Sequence, residues 1–113
     1  MANSSPPLGL SALRLLIGLA DGERHGYALM QELRSDGLGP ALGPGALYRT
    51  IQQLVSQRLI VESAGASSDT SDERRRYFRL TAAGRRALAT EADRMSELAR
   101  RAAKTGIVAP ARR

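Results

Sequence analysis

The hydrophobic and polar positions of this chain fall into helical and alternating stretches that predict four helices and one hairpin. Residues 8–20 are apolar around most of a helical circumference. Leu10, Leu13, Ile17 and Ala20 form one stripe, and Leu8, Leu15 and Leu19 lie elsewhere. A helix apolar on more than one face needs more than one burial partner, and in a chain this short the second is expected to be another subunit. Residues 26–36 predict a second helix, with Tyr27, Met30 and Leu33 at core spacing. The segment GLGPALGPG at 37–45 holds four Gly and two Pro, continues neither neighbouring helix and reverses the chain. Its glycines do not make a phosphate loop, because the Lys-Ser/Thr ending and a preceding apolar strand are both missing.

A third helix over 45–57 places Leu47, Ile51 and Leu54 at i, i+4 and i+7. A short strand at 59–63, a polar loop at 65–73 and a strand at 74–80 follow, with Phe78 and Leu80 on one face by the period of two. A hairpin is the economical connection. Thr81 is a good N-cap for a last helix over 82–104, which at 1.5 Å per residue extends roughly 35 Å, more than its own domain needs. Along it Leu88, Ala92, Met95, Ala99 and Ala102 recur at spacings of 4 and 3, with Leu98 alongside, as a seam of mostly small residues. Small side chains allow close approach and bury little area each, so the seam becomes a dimer surface only together with the spare face of the first helix, Leu8, Leu15 and Leu19.

The fold class this predicts is mainly α with a small β-hairpin wing, a winged helix-turn-helix followed by a long C-terminal helix. Residues 1–7 are expected to be disordered, with Pro6 and Pro7 suited to a first helical turn. Residues 8–80 form the winged-helix region, 81–104 the dimerisation helix and 105–113 a mobile basic tail.

Composition sharpens the functional reading. The 113 residues carry a formal charge of +6, and the 17 basic side chains are 16 Arg and one Lys. Arg favours planar, bidentate contact with phosphate and guanine, so the balance leans toward nucleic acid. The face of the third helix opposite its core stripe carries Arg49, Thr50, Gln53, Ser56 and Gln57 and no carboxylate. Phosphate would repel Asp or Glu there, whereas Arg, Gln and Thr reach base edges. An ordinary solvated helix face mixes Glu with Lys, and this one does not.

Other classes find little support. There is no Cys, which excludes disulfides and thiolate metal sites and fits a reducing cytoplasm. A single His, His25, and no tight carboxylate cluster outside the loop argue against an enzyme or a metal site, and no cofactor is expected. The apolar run at 8–20 is not read as a signal or membrane segment. No basic residue precedes it, Arg14 interrupts it, and thirteen residues do not span a bilayer.

The chain resembles the PadR-type winged-helix transcriptional regulators, specifically the short class with one C-terminal helix. The resemblance rests on His25-Gly26-Tyr27 opening the second helix, Pro44-Gly45-Ala46-Leu47-Tyr48 opening the third, Leu54 and Leu59-Ile60 closing it, and Arg76-Tyr77 with Leu80-Thr81 and Gly84. It covers residues 8–104. It implies a cytoplasmic homodimer that binds double-stranded DNA at a near-palindromic operator, usually as a repressor. The third helix enters the major groove, the wings flank it, and the last helix packs on the first and last helices of the partner. By position, Gly45, Ala46, Tyr48, Arg49 and Thr50 face DNA at the start of the third helix. Tyr27 either lies near the phosphate backbone or closes the core beneath it. Related proteins often sense a small molecule, so an effector is a candidate partner. With no Trp and one Phe, the chain has few flat walls for a large preformed pocket.

Three departures from the family pattern stand out. Ala46 sits where Ser or Thr is frequent, which removes one hydroxyl. Arg58 stands where many members have Gly; if that position takes positive φ, a side chain there costs on the order of 1 kcal/mol. The loop tip carries Asp69, Asp72 and Glu73, so Arg74, Arg75 and Arg76 at the wing base are better phosphate contacts than the tip. The acidic tip also keeps open a second reading, a winged-helix protein-interaction module without specific DNA binding.

Overall fold

The computed structural model describes residues 8–63 and 76–107. Its elements are α1 (Leu10–Gly18), β1 (Arg24–His25), α2 (Gly26–Ser35), α3 (Pro44–Ser56), β2 (Ile60–Ser63), β3 (Tyr77–Leu80) and α4 (Ala82–Lys104). The architecture is the expected winged helix with a long C-terminal helix. The expected N-terminal disorder, with Pro6 and Pro7, and the polar loop with its acidic tip fall outside the described residues. So do Arg74, Arg75 and residues 108–113.

The three strands form an antiparallel sheet in the order β1-β3-β2. Ile60 pairs with Leu80 and Ser63 with Tyr77, while Arg24 and His25 pair with Phe78 and Tyr77. The strand β1 was not expected, since two residues carry no periodicity. It exists because the approach to α2 lies along β3, where the N–H of Gly26 donates to the carbonyl of Arg76 at 3.1 Å.

The core is built by Ala12, Leu15, Leu16 and Leu19 of α1, Leu29, Met30 and Leu33 of α2, Leu47, Ile51 and Leu54 of α3, and Ile60, Phe78 and Leu80 of the sheet. This corrects the assignment of faces on α1. Leu15 and Leu19 are fully buried inside the chain's own core, so they cannot meet a partner, and Leu8 is half-buried against the same core. The exposed residues are instead Leu10 and Ile17, each 50% accessible. Both faces of α1 are apolar, so hydrophobicity alone could not rank them. The buried face is the fuller i, i+3, i+4, i+7 set 12-15-16-19. Tyr27 is likewise exposed and does not join Met30 and Leu33 in the core.

Two helix ends are set by residues the sequence singled out. Thr81 caps α4, its Oγ1 accepting the N–H of Gly84 at 2.9 Å. The end of α3 is a six-to-one turn. The N–H of Leu59 donates to the carbonyl of Leu54 at 3.0 Å, that of Arg58 to Val55 at 2.9 Å, and Arg58 takes φ 64 between them. The motif favours Gly at that residue, and here an Arg occupies it. Thr81 ties the turn to α4 by sharing its one hydroxyl proton between the carbonyls of Arg58 (2.8 Å) and Leu59 (3.1 Å). A Cβ on Gly84 would stand 2.0 Å from the carbonyl oxygen of Leu59, so only glycine permits this approach.

The first half of α4 packs on α1. Leu88 is half-buried against the core, and Glu91 is buried, accepting the N–H of Leu8 at 3.3 Å and a bond from Arg94. Beyond it Ala92, Met95, Leu98 and Ala99 are exposed, and Ala102 is half-buried. Leu98 is 60% accessible. Among the described residues no helix is long and apolar enough to cross a membrane.

Candidate nucleic-acid interface

The helix α3 presents its core stripe inward and an uninterrupted polar face outward. Pro44 occupies its first position, where a missing N–H costs nothing, and Gly43 before it offers no side-chain cap. The exposed first turn holds Pro44 and Gly45 and no acidic residue, so the positive end of the helix dipole is open to an anion.

Behind that turn, Ala46, Arg49, Thr50 and Gln53 line a shallow open groove with Ser11 of α1 and Leu42 of the preceding turn. Arg49 is exposed, lies with Nη1 3.7 Å from where a Gly45 Cβ would be, and forms no ion pair with a described residue. Thr50 donates its hydroxyl to the carbonyl of Ala46 at 3.0 Å, which leaves the oxygen outward as an acceptor. Ser56 closes a similar bond to Gln53 at 2.8 Å. The structure therefore gathers Gly45, Ala46, Arg49, Thr50 and Gln53 on one face. Gln52 also lines the groove. It was missed because it sits at the edge of the polar arc, where helical spacing gives little contrast.

Tyr48 is turned away from this face. It is half-buried against the core, and its hydroxyl occupies the space a Cβ on Gly26 would need, the two atoms being 2.2 Å apart. The glycine of the His-Gly-Tyr motif thus makes room for the tyrosine of the Pro-Gly-Ala-Leu-Tyr motif, locking α2 to α3. Tyr48 also borders a small cavity of about 160 Å³ with Ile51, Val55 and Phe78.

The remaining expected contacts sit on α2 and the wing. His25 caps α2, its Nδ1 accepting the N–H of Ala28 at 3.0 Å, and meets the ring of Tyr77 edge-on at 5.4 Å. That acceptor role puts the imidazole proton on Nε2. Tyr27 follows on the exposed side, its hydroxyl accepting a bond from Gln31 at 2.7 Å. Arg76 immediately precedes β3 and faces Glu62 at 3.6 Å, an ion pair that draws its charge toward β2. Arg79 lies on the outward side of β3, exposed and without an ion partner among the described residues. The alternation that places Phe78 and Leu80 inside could have found it.

Most described carboxylates are already answered by arginine: Asp36 by Arg14, Glu32 by Arg24, Glu62 by Arg76, Glu91 by Arg94, and Glu97 by Arg100 and Arg101. The arginines beside Glu97 and Asp36 hold both carboxyls below the usual carboxylate range. Arg49 on α3 and Arg79 on β3 are among the exposed arginines that form no ion pair with a described residue. Among the described residues no group of three or more His, Cys, Asp or Glu could hold a metal ion.

The fold and the exposed, carboxylate-free third helix define a winged helix-turn-helix protein. The sequence profile of the transcriptional regulator PadR-like family matches residues 15–90. The chain is 38% identical over 88 residues to the Transcriptional regulator Rv3488 of Mycobacterium tuberculosis, covering 78% of each. It is also 36% identical over 95 residues to a 37.1 kDa protein in transposon Tn4556 of Streptomyces fradiae. That match takes in 82% of this chain but only 25% of the other protein's length. Among solved structures, a PadR family transcription regulator from Clostridium difficile superposes with a TM-score of 0.73 at 19% identity, over 88% of this chain and all of that one. RosR of H. salinarum gives 0.63 at 24% identity, over 92% and 81%. At these identities the two structures speak for the fold alone. The family profile and the mycobacterial relative go further: this chain belongs to the PadR-like family of transcriptional regulators.

Proposed function

We propose that the protein is a cytoplasmic homodimer that binds a near-palindromic operator in double-stranded DNA and represses transcription there. The observation that carries this reading is the outward face of α3, where Arg49, Thr50, Gln52 and Gln53 stand together with no carboxylate. In the major groove, Arg49, Thr50 and Gln53 read base edges at about 1–3 kcal/mol per good pair. Gly45 and Ala46 let the first turn of α3 approach the backbone. Arg79, with Arg74, Arg75 and Arg76 shortly before it in the chain, supplies salt-dependent attraction to phosphate that is blind to sequence.

The dimer is formed by Leu10 and Ile17 of α1 with Ala92, Met95, Leu98, Ala99 and Ala102 of α4. The exposure of all of these apolar groups but the half-buried Ala102 on one chain supports that assignment. Twofold symmetry sets the two α3 helices about 34 Å apart, or a multiple of that. A small-molecule effector would act on this dimer by changing that separation.

The test is sedimentation equilibrium of the protein alone, together with a mobility shift on the DNA upstream of its own gene. Two chains per duplex and a complex that survives unrelated competitor DNA support the reading. A monomer that is not retained on DNA at low salt turns the assignment toward a protein-interaction module.

A further inference from the structure

Arg14 stands in the middle of α1 and is 2% accessible. Its guanidinium is committed to a single segment of chain. Nε and Nη2 fork onto the two carboxylate oxygens of Asp36 at 3.0 and 2.9 Å. Nη2 donates to the carbonyl of Leu33 at 2.7 Å and approaches that of Gly39 at 3.4 Å, and Nη1 donates to Pro40 at 2.8 Å. Asp36 in turn accepts the N–H of Leu38 at 2.9 Å. Every acceptor lies at the end of α2 or in the turn that leads into α3.

That turn has little else to hold it. Residues 37–41 and 43 are exposed and only Leu42 packs against the core. Gly37 adds a left-handed kink at φ 73. Stability alone does not explain an arginine here, because an apolar side chain in a buried site is often as favourable as an ion pair. Position explains it better. Ser11 and Leu42, which share the groove with Arg49 and Thr50, lie on the two segments that Arg14 joins. Leu10 and Ile17, the exposed apolar residues of α1, lie one turn to either side of it.

We propose that Arg14 is a positioning residue for DNA recognition, its latch on Asp36 and the carbonyls of Leu33 and Pro40 setting where the first turn of α3 stands relative to α1. The inference rests on the DNA-binding reading above and adds a consequence. Base-edge hydrogen bonds fail when donor and acceptor drift by a few tenths of an ångström, whereas attraction to phosphate falls off slowly with distance. Loosening the latch therefore degrades discrimination among sequences and leaves general DNA affinity nearly intact.

The test compares the wild-type chain with Asp36→Asn and with the double variant Arg14→Met/Asp36→Asn, which leaves no unpaired charge. The probes are a duplex enriched by the wild-type protein from a randomised library and a scrambled duplex of equal composition. The double variant is expected to bind the scrambled duplex with the wild-type salt dependence and to lose about tenfold or more of its preference for the enriched one, Asp36→Asn lying between. A folded double variant that keeps the wild-type preference overturns the proposal.

Amide exchange on free Asp36→Asn gives a readout that needs neither DNA nor the double variant. The expected result is about tenfold faster exchange confined to residues 38–47, with the α4 amides unchanged. Uniform acceleration would make Arg14 a stabilising residue only, and no acceleration would show that the latch does not hold the turn; either refutes its positioning role. A wild-type protein that enriches no sequence strikes at the DNA-binding reading, and the exchange experiment then judges Arg14 alone.

Discussion

Replacing Arg58 by glycine should stabilise this protein, although it removes a charged side chain at the junction between α3 and the wing. The residue sits at φ 64, inside a turn whose two defining hydrogen bonds, Leu59 to Leu54 and Arg58 to Val55, are both formed. An L-residue held in this region costs about 1–2 kcal/mol, and glycine escapes that cost. Against it, glycine gives the unfolded chain more freedom, worth about 0.4–1 kcal/mol. The net expectation for Arg58→Gly is a gain of about 1 kcal/mol, or a rise in Tm of roughly 4 °C for a chain of this length. Thermal and urea unfolding of Arg58→Gly and Arg58→Ala measure it. Alanine keeps the Cβ and so keeps the strain, and is expected to stay within about 0.5 kcal/mol of wild type. Equal gains in both variants would mean that relief of arginine–arginine repulsion, not backbone geometry, is responsible. A loss in the glycine variant would refute the strain argument outright.

Five further outcomes follow from the structure. Gly84→Ala, which helix propensity would favour, should instead destabilise by about 2 kcal/mol, because its Cβ would meet the carbonyl of Leu59 at 2.0 Å and push α4 off the end of α3; urea unfolding reads the sign. Arg49→Ala should cost about tenfold in preference for an enriched duplex over a scrambled one. Arg79→Ala should weaken both alike and lower the salt slope by about one, a contrast visible in titrations at several salt concentrations. Leu98→Glu, at a position 60% exposed in one chain, should weaken dimerisation on the order of a hundredfold in sedimentation equilibrium, since two copies lose their burial together. Finally, the Asp36 carboxyl is depressed by hydrogen bonds from Arg14 and then from the Leu38 N–H, and Glu97 by Arg100 and Arg101. Their stabilisation is full above the unfolded value of about 4 and is lost as pH falls through the lower folded values. Asp36→Asn should therefore flatten part of the acid limb of Tm against pH, and an unchanged limb would contradict the pairing.

The parts of this fold that were legible in the sequence are those where one physical requirement dictates residue type. Thr81 reads as a cap because its hydroxyl is needed by the Gly84 N–H. The stripe Leu47, Ile51, Leu54 reads as core because only one face of α3 is apolar. Arg58 was flagged only through the family resemblance, as standing where many members have Gly, and it takes the positive φ that such a position implies. Legibility failed where two requirements looked alike. On α1 both faces are apolar, so Leu15 and Leu19 were assigned to a partner when they fill the core, and it is Leu10 and Ile17, from the other stripe, that face out.

It also failed where the partner is distant in sequence. Arg14 read only as an interruption of a greasy run, because Asp36 and the carbonyls that satisfy it lie on the next helix and turn. Tyr48 looked like a groove residue by its place at the start of α3. It turns inward because Gly26, 22 positions earlier in the chain, leaves it a space no periodicity could reveal.

The most direct test of sequence-specific DNA recognition is enrichment from a randomised duplex library by the purified protein, with the selected pool sequenced and its binding followed at two salt concentrations. The account predicts a motif with twofold symmetry, half-sites about one or two helical turns apart, and affinity that falls steeply with salt. A pool that stays random, or a protein that retains no duplex even at low salt, would contradict it.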